Sequence, residues 1–349
     1  MTASDGFSLG GLTEEQAAVY DRQLRVWGVE AQRRMGQSKF FVAGLTGLAS
    51  EACKNIVLAG VGTVTLYDDG APAGEAAPGN FLAASATADD SSLTAAEATA
   101  ATLREMNPFG EVRVVKPSAP VDSALPTGAF AGITAETIAG HNAVLVCGAP
   151  LLERERINDL ARETGAKFFA GSCRGSSADF FVDLGDAFEY VFKSAAPSPA
   201  DAPAPSSSTT ASFVPLRAAM ASKWSDLGVN REGGIRRVNK LAGAMMLCSA
   251  FERRAGRAPT PADVPALVAS VAEAERENGV KAGWLPAATV EDYVGSGGES
   301  PAAAAVVGGI LGQELLRAAT GVGEPVRNAF FFTTANSQGT VECVGCEGR

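Results

Sequence analysis

A doubly wound, mostly parallel α/β sheet with a helical insertion is the fold this sequence predicts. Short, continuously apolar runs such as KFFVAG (residues 39–44) and NAVLVCG (residues 142–148) alternate with helical segments, as strands buried on both faces do. The first run enters a glycine-rich turn that opens a helix. With 349 residues, 46% of them hydrophobic and 19% charged, the chain has ample material for a sizeable core.

In chain order, residues 1–12 are rich in Gly and Ser and read as a loose tail. TEEQ (Thr13 to Gln16) is a capping box, with Thr13 as N-cap. The helix it opens carries Tyr20, Leu24 and Trp27 on one stripe and Arg22 on the opposite side, and Gly28 ends or bends it. KFFVAG is a strand, LASEACKNIVLAG a helix ended by Gly60, and TVTLYDD (Thr63 to Asp69) the second strand. TAAEATAATLREMNP is a helix stopped near Pro108, followed by the strands EVRVV and NAVLVCG and the helix ERERINDLARETG. KFFAGS follows, then ADFFVDLG and FEYVFK, expected to pair antiparallel. Residues 194–212 (Ser194 to Ser212) lack any large apolar residue and read as a disordered linker. Residues 213–284 carry helical periodicity and form the insertion. The last helix has Ser300 as N-cap and Pro301 at its first position, and ends at Gly321. Its Ala304, Gly308 and Gly312 make one smooth face for a close neighbour. NAFFFTTANSQGTVECV is a hairpin around NSQG. Residues 13–193 and 285–349 thus make up one α/β unit, interrupted by the linker and the insertion.

Lys and Arg number 29 against 39 Asp and Glu, a net charge of −10. The nearest thing to a basic cluster, Asn230 to Lys240, reads as a solvated helix face, so no nucleic-acid partner is expected. The amino terminus has no apolar leader core, and Pro301 to Gly312 is too short an apolar run to span a bilayer. A soluble intracellular protein with no membrane partner is the expectation. The six cysteines read as reduced thiols, not a disulfide framework. CVGC near the end is half of a zinc site with no second half, and His141 is distant, so no metal site is expected.

The glycine-rich turn reads Gly44, Leu45, Thr46, Gly47, Leu48, Ala49. A dinucleotide or ATP loop needs its second glycine so that no Cβ holds the phosphate away. Gly44 supplies the first glycine and Ala49 is tolerated at the third, but Thr46 obstructs the second. Asp68, 24 residues after Gly44, suits a ribose hydroxyl. The residues alone leave two possibilities open, a nucleotide loop and a tight turn with packing glycines. No Lys or Arg lies between Lys54 and Arg104, so this segment offers a triphosphate no side-chain cation.

YDRQLRVWGVEAQRRM followed by GLTGLASEACKNIVLAGVGTVTLYD, with AVVGGILGQELLRA near the end, resembles the non-catalytic half of a ubiquitin-like-protein activating enzyme of the ThiF-like family. Length and carboxy terminus are similar to the smaller subunit of the SUMO-activating heterodimer. The resemblance implies a Rossmann-like, ThiF-type sheet acting as a pseudo-enzyme. It also implies a catalytic partner that holds ATP and Mg, adenylates the modifier and captures it on a cysteine. SUMO is then met only indirectly, and the location is nuclear and also cytoplasmic. The catalytic half's Arg-Gln-Phe-Leu motif reads here Gly79, Asn80, Phe81, Leu82, and APLLERER stands where its magnesium Asp would lie. No cofactor is therefore expected on this chain, and none of its cysteines is expected to form a thioester; Cys173, the least apolar, is the one to test. The motif match assigns Arg22 a role in trans, reaching the ATP of the partner. A NEDD8-type subunit and a Rossmann oxidoreductase binding NAD or FAD are the alternatives.

Overall fold

The computed structural model describes residues 11–73, 79–86, 92–117, 128–193, 206–227, 238–295 and 298–346. Nearly all of the tail, the linker up to residue 205 and most of the Asn230–Lys240 run therefore lie outside the described residues. The amino-terminal arm is three short helices, α1 (Glu14–Val19), α2 (Asp21–Trp27) and α3 (Val29–Gln37). The capping box forms as expected, with reciprocal Thr13 and Gln16 bonds of 3.1 and 3.0 Å. One continuous helix does not follow, because the chain breaks at Tyr20 and again at Gly28, where φ is +87°. Tyr20 is buried, and its hydroxyl accepts a hydrogen bond from Asn107 at 2.8 Å.

The sheet begins with β1 (Lys39–Ala43), α4 (Gly47–Leu58) and β2 (Thr63–Tyr67). α5 (Phe81–Ala86), α6 (Ala95–Met106), β3 (Glu111–Val115), α7 (Gly128–Ala131), α8 (Ala135–Ile138), β4 (Ala143–Cys147) and α9 (Leu151–Thr164) follow. Next come β5 (Lys167–Arg174), β6 (Ser177–Asp183), β7 (Phe188–Lys193) and β8 (Ser206–Ala211). The insertion supplies α10 (Leu216–Ala221), α11 (Lys240–Ala255) and α12 (Val264–Glu277), and α13 (Ala287–Gly295) packs against α11 and α12. α14 (Pro301–Thr320), β9 (Ala329–Thr333) and β10 (Gln338–Glu342) follow.

Strand order in the main sheet is β10-β9-β6-β5-β4-β1-β2-β3. β1 to β5 are parallel, and β6, β9 and β10 continue as antiparallel neighbours. The period of two sends Phe41, Ala43 and Val144 to the face covered by α9, α11 and α13. Phe40, Val42 and Leu145 go to the face covered by α4, α6 and α14. β1 and β4 lie side by side although two strands separate them in sequence. Such a switch point opens a crevice beyond the strand ends, and the loops after β1 and β4 meet there.

Three further expectations are corrected. β6 does not pair with β7; it lies between β5 and β9, as a strand buried along its whole length requires. β7 alternates buried Phe188 and Tyr190 with exposed Glu189 and Val191, and forms a separate ribbon with β8. The linker is accordingly not disordered throughout 194–212, because residues 206–211 are β8. Ser and Thr lack apolar bulk but suit an edge strand, where the backbone ladder and one covered face suffice. Lastly, Cys343 and Cys346 are joined as a disulfide, whereas Cys53, Cys147, Cys173 and Cys248 are free. Val344 turns into the core between them and Gly345 adopts φ +71°, which leaves the two cysteines on the same side of the turn.

α14 has the length and composition of a membrane span, being 20 residues long and longer than its apolar run suggested; half of its most apolar window is buried. Its smooth face packs as expected: a Cβ at Gly308 would lie 2.5 Å from the Glu51 Cβ, and one at Gly312 would lie 2.9 Å from the Asn55 Cβ.

Candidate functional site: a degenerate phosphate loop and an exposed arginine

The loop after β1 is shaped by close backbone approach. Gly44 has φ +77°, and a Cβ there would stand 1.9 Å from the Cys147 carbonyl oxygen, so only glycine fits. Thr46 is the N-cap of α4, and its Oγ1 accepts from the Ala49 N–H at 3.3 Å. A threonine before a helix is itself a capping signal, so the obstruction inferred at this position is also a stabilising cap.

The group at the mouth of the loop is Glu299, which the sequence did not single out. It lies 252 residues away in the chain, and its Oε2 accepts the Gly47 N–H at 2.5 Å. Burial pushes the Glu299 carboxyl up, while bonds from the Gly47 N–H, the Thr46 hydroxyl and the Leu48 N–H pull it down. Helix N-termini attract anions because their first N–H groups are unpaired and the helix dipole is positive there. In this chain a carboxylate of its own takes that place.

The other expected anchors are also engaged. Asp68 is buried; its oxygens accept from the Gly70 N–H at 2.9 Å and the Thr94 hydroxyl at 2.9 Å, and Lys116 Nζ stands 3.8 Å away. Asn80 is held on both sides of its amide. It accepts from Ser50 and the Ala83 N–H, and donates to the Leu45 carbonyl and Thr99, all within 2.8–3.1 Å. At Gly79, where the arginine of the phosphate motif is missing, a Cβ would lie 2.8 Å from Glu299 Oε2, so the carboxylate occupies the space beside it. The ring of Phe130 covers Gly44, with Cζ 3.2 Å from where a Cβ would be. Arg104 turns away and donates to the Val112 carbonyl at 2.7 and 3.1 Å. The structure thus places Gly44, Thr46, Gly47, Ala49 and Asp68 at the loops that follow β1 and β2, where the Gly47 N–H, the Thr46 hydroxyl and the Asp68 carboxylate all have partners within the chain. Among the described residues no group of three or more His, Cys, Asp or Glu could hold a metal ion.

Arg22 is elsewhere. It is exposed on α2 and makes no hydrogen bond or ion pair among the described residues, whereas Arg25 pairs with Asp21 at 2.9 Å. Neighbouring Gln23 donates to the Leu58 carbonyl at 3.3 Å, at the end of α4 remote from the loop. A helix of 12 residues spans about 18 Å, so Arg22 and the loop lie at opposite ends of α4. Gln23, Trp27, Leu58, Gly309 and Gln313 line a cleft of about 230 Å³, and Val19, Val26, Leu58 and Val306 are exposed on α1, α2, α4 and α14. Cys173 Sγ faces the Ser300 carbonyl at 3.7 Å. Burial, then the nearby Glu299 charge, pushes its thiol up to about 12, the opposite of an activated nucleophile.

The chain is similar over nearly its whole length to named relatives. SUMO-activating enzyme subunit 1B-1 of Arabidopsis thaliana is 32% identical over 336 residues, covering 95% of this chain and 97% of the relative. SUMO-activating enzyme subunit 1 of Xenopus laevis and of Homo sapiens are each 28% identical, covering 96% of this chain and 97% of theirs. Among solved structures, E. coli MccB with succinimide superposes with a TM-score of 0.50 at 10% identity, over 93% of this chain and 70% of that one. PaaA gives a TM-score of 0.50 at 14% identity, over 97% and 76%. These two likenesses concern the fold. The profile of the ThiF family matches residues 20–347, and the chain belongs to that family.

Proposed function

We propose that this chain is the smaller, supporting subunit of a SUMO-activating heterodimer. The observation that carries this is the similarity to SUMO-activating enzyme subunit 1 across 95–96% of the chain, in plant and animal relatives alike. On this proposal the partner binds ATP and Mg, adenylates the modifier and takes it onto its own cysteine. The chain supports that chemistry through α1, α2, α4 and α14, where exposed Val19, Val26, Leu58 and Val306 offer apolar contact. On this proposal Arg22, exposed on α2, lends a guanidinium to the nucleotide of the partner. A guanidinium is always charged and grips phosphate oxygens with two parallel hydrogen bonds. The internal pairing of Glu299, Asp68 and Asn80 argues against an oxidoreductase that would need the same crevice for NAD or FAD.

The test is co-expression with a SUMO-activating catalytic subunit. A stable one-to-one complex is expected. With ATP and SUMO, a reducible thioester is expected on the partner only, unchanged by Cys173→Ala. Failure to assemble, or a thioester on this chain, contradicts the proposal.

A further inference from the structure

Glu299 is presented to the loop by fixed backbone on both sides. The Gly175 N–H donates to the Gly298 carbonyl at 2.7 Å, and the Ser300 N–H donates to the Gly175 carbonyl at 3.2 Å. Gly175 lies in the turn between β5 and β6, so residues 298–300 are clipped to the sheet at the ends of those strands. Ser300 then caps α14, its side chain accepting from the Ala303 N–H at 3.4 Å. Between these two anchors the carboxylate reaches the first turn of α4. It fits there closely, because a Cβ at Gly47 or Gly79 would lie 2.7 or 2.8 Å from Oε2. The two glycines also approach each other, since a Cβ at Gly47 would lie 2.8 Å from the Gly79 carbonyl oxygen, and the carboxylate sits in the space they leave. Thr46 fits the same picture, since it immediately precedes the Gly47 N–H that Glu299 holds and its β-branch fills the space against Gly148, 3.0 Å from a Cβ there.

We propose that Glu299 is an intramolecular stand-in for a nucleotide phosphate: with Thr46 it closes the loop after β1 from within and excludes di- and triphosphates from this chain. The consequence is a division of labour, in which the chain does not compete with its partner for nucleotide. This rests on the supporting-subunit proposal above, but it concerns this chain by itself. Charge is central to it: a fixed carboxylate repels a phosphate while satisfying the N–H groups the phosphate would use.

The experiment uses the full chain alone, as wild type, Glu299→Ala and Glu299→Gln, with inorganic pyrophosphate as the probe. The melting temperature of the wild type is expected to be unmoved by pyrophosphate beyond a matched ionic-strength control. Both variants are expected to gain about 2–4 °C at roughly ten times the dissociation constant, with a saturable heat in calorimetry. Glu299→Gln preserves shape while removing charge, so it decides the matter if the alanine variant does not fold. Equal responses in wild type and the folded variants, including no response in any, overturn the proposal. Neither outcome depends on a partner, so a failure here is separable from a failure to form the heterodimer.

Discussion

His141, the sole histidine, shows how a side chain that looks chemical in sequence serves the fold. Its Nδ1 faces the Ile138 carbonyl at 3.1 Å and its Nε2 faces the Thr65 hydroxyl at 3.0 Å, an arrangement a neutral ring satisfies by donating at the first and accepting at the second. Burial pushes its pKa below 6.5, helped by Lys39 and Arg113, against an opposing pull from the Ile138 and Ala139 backbone. The folded state therefore holds the proton less tightly than the unfolded one. The stability tied to this group is complete above the ordinary histidine range and is lost as pH falls toward the depressed folded value. A single imidazole makes the check direct: its proton resonance in NMR is expected to titrate with a midpoint below 6.5, and a midpoint at or above that value contradicts the neutral pairing. Cys173 belongs to the same class, a candidate by composition that the geometry turns into a structural thiol.

At the scale of elements, helix ends and apolar strands were legible because local chemistry sets them. Thr13 and Ser300 cap where the sequence indicates, and Gly321 ends α14 in the left-handed conformation. Pairing partners were not legible. β8 is Ser and Thr, and nothing local says that β7 will cover it; nor does anything local bring Glu299 to Gly47 across 252 residues. The Thr94 bond to Asp68 crosses 26 residues and was equally invisible. The α4–α14 contact offers a sharp test of the smooth face. Gly308→Ala places a methyl 2.5 Å from the Glu51 Cβ and 3.1 Å from the Leu48 carbonyl, and is expected to destabilise by about 1–3 kcal/mol despite the better helix former. Gly309 has nothing within 4 Å, so Gly309→Ala is expected to stabilise by roughly 0.5–1 kcal/mol. Urea melts that move both variants the same way contradict the packing described. The ribbon gives a second test: deleting residues 206–211 strips the ladder from β7, beside buried Phe188 and Tyr190. The melting temperature is expected to fall by about 4 °C or more. An unchanged value would show that β8 contributes nothing.

At the scale of the whole molecule, the crevice at the switch point and the face bearing Arg22 are the two ends of one helix. The crevice is closed by the chain's own groups, and the arginine is exposed near the far end of that helix. That arrangement suits a molecule whose cation is for another subunit. The most direct measurement is ATP–pyrophosphate exchange by the reconstituted heterodimer carrying Arg22→Ala. A hydrogen bond to a charged group is worth roughly 1.5–3 kcal/mol, so exchange is expected to slow about 10- to 100-fold with assembly unchanged. Arg22→Lys should restore part of the rate, because an ammonium lacks the fork. Arg25→Ala, which loses only an exposed pair with Asp21, should run at the wild-type rate. An assembled Arg22→Ala heterodimer that exchanges pyrophosphate as fast as wild type would contradict the role in trans and leave Arg22 a solvated surface residue.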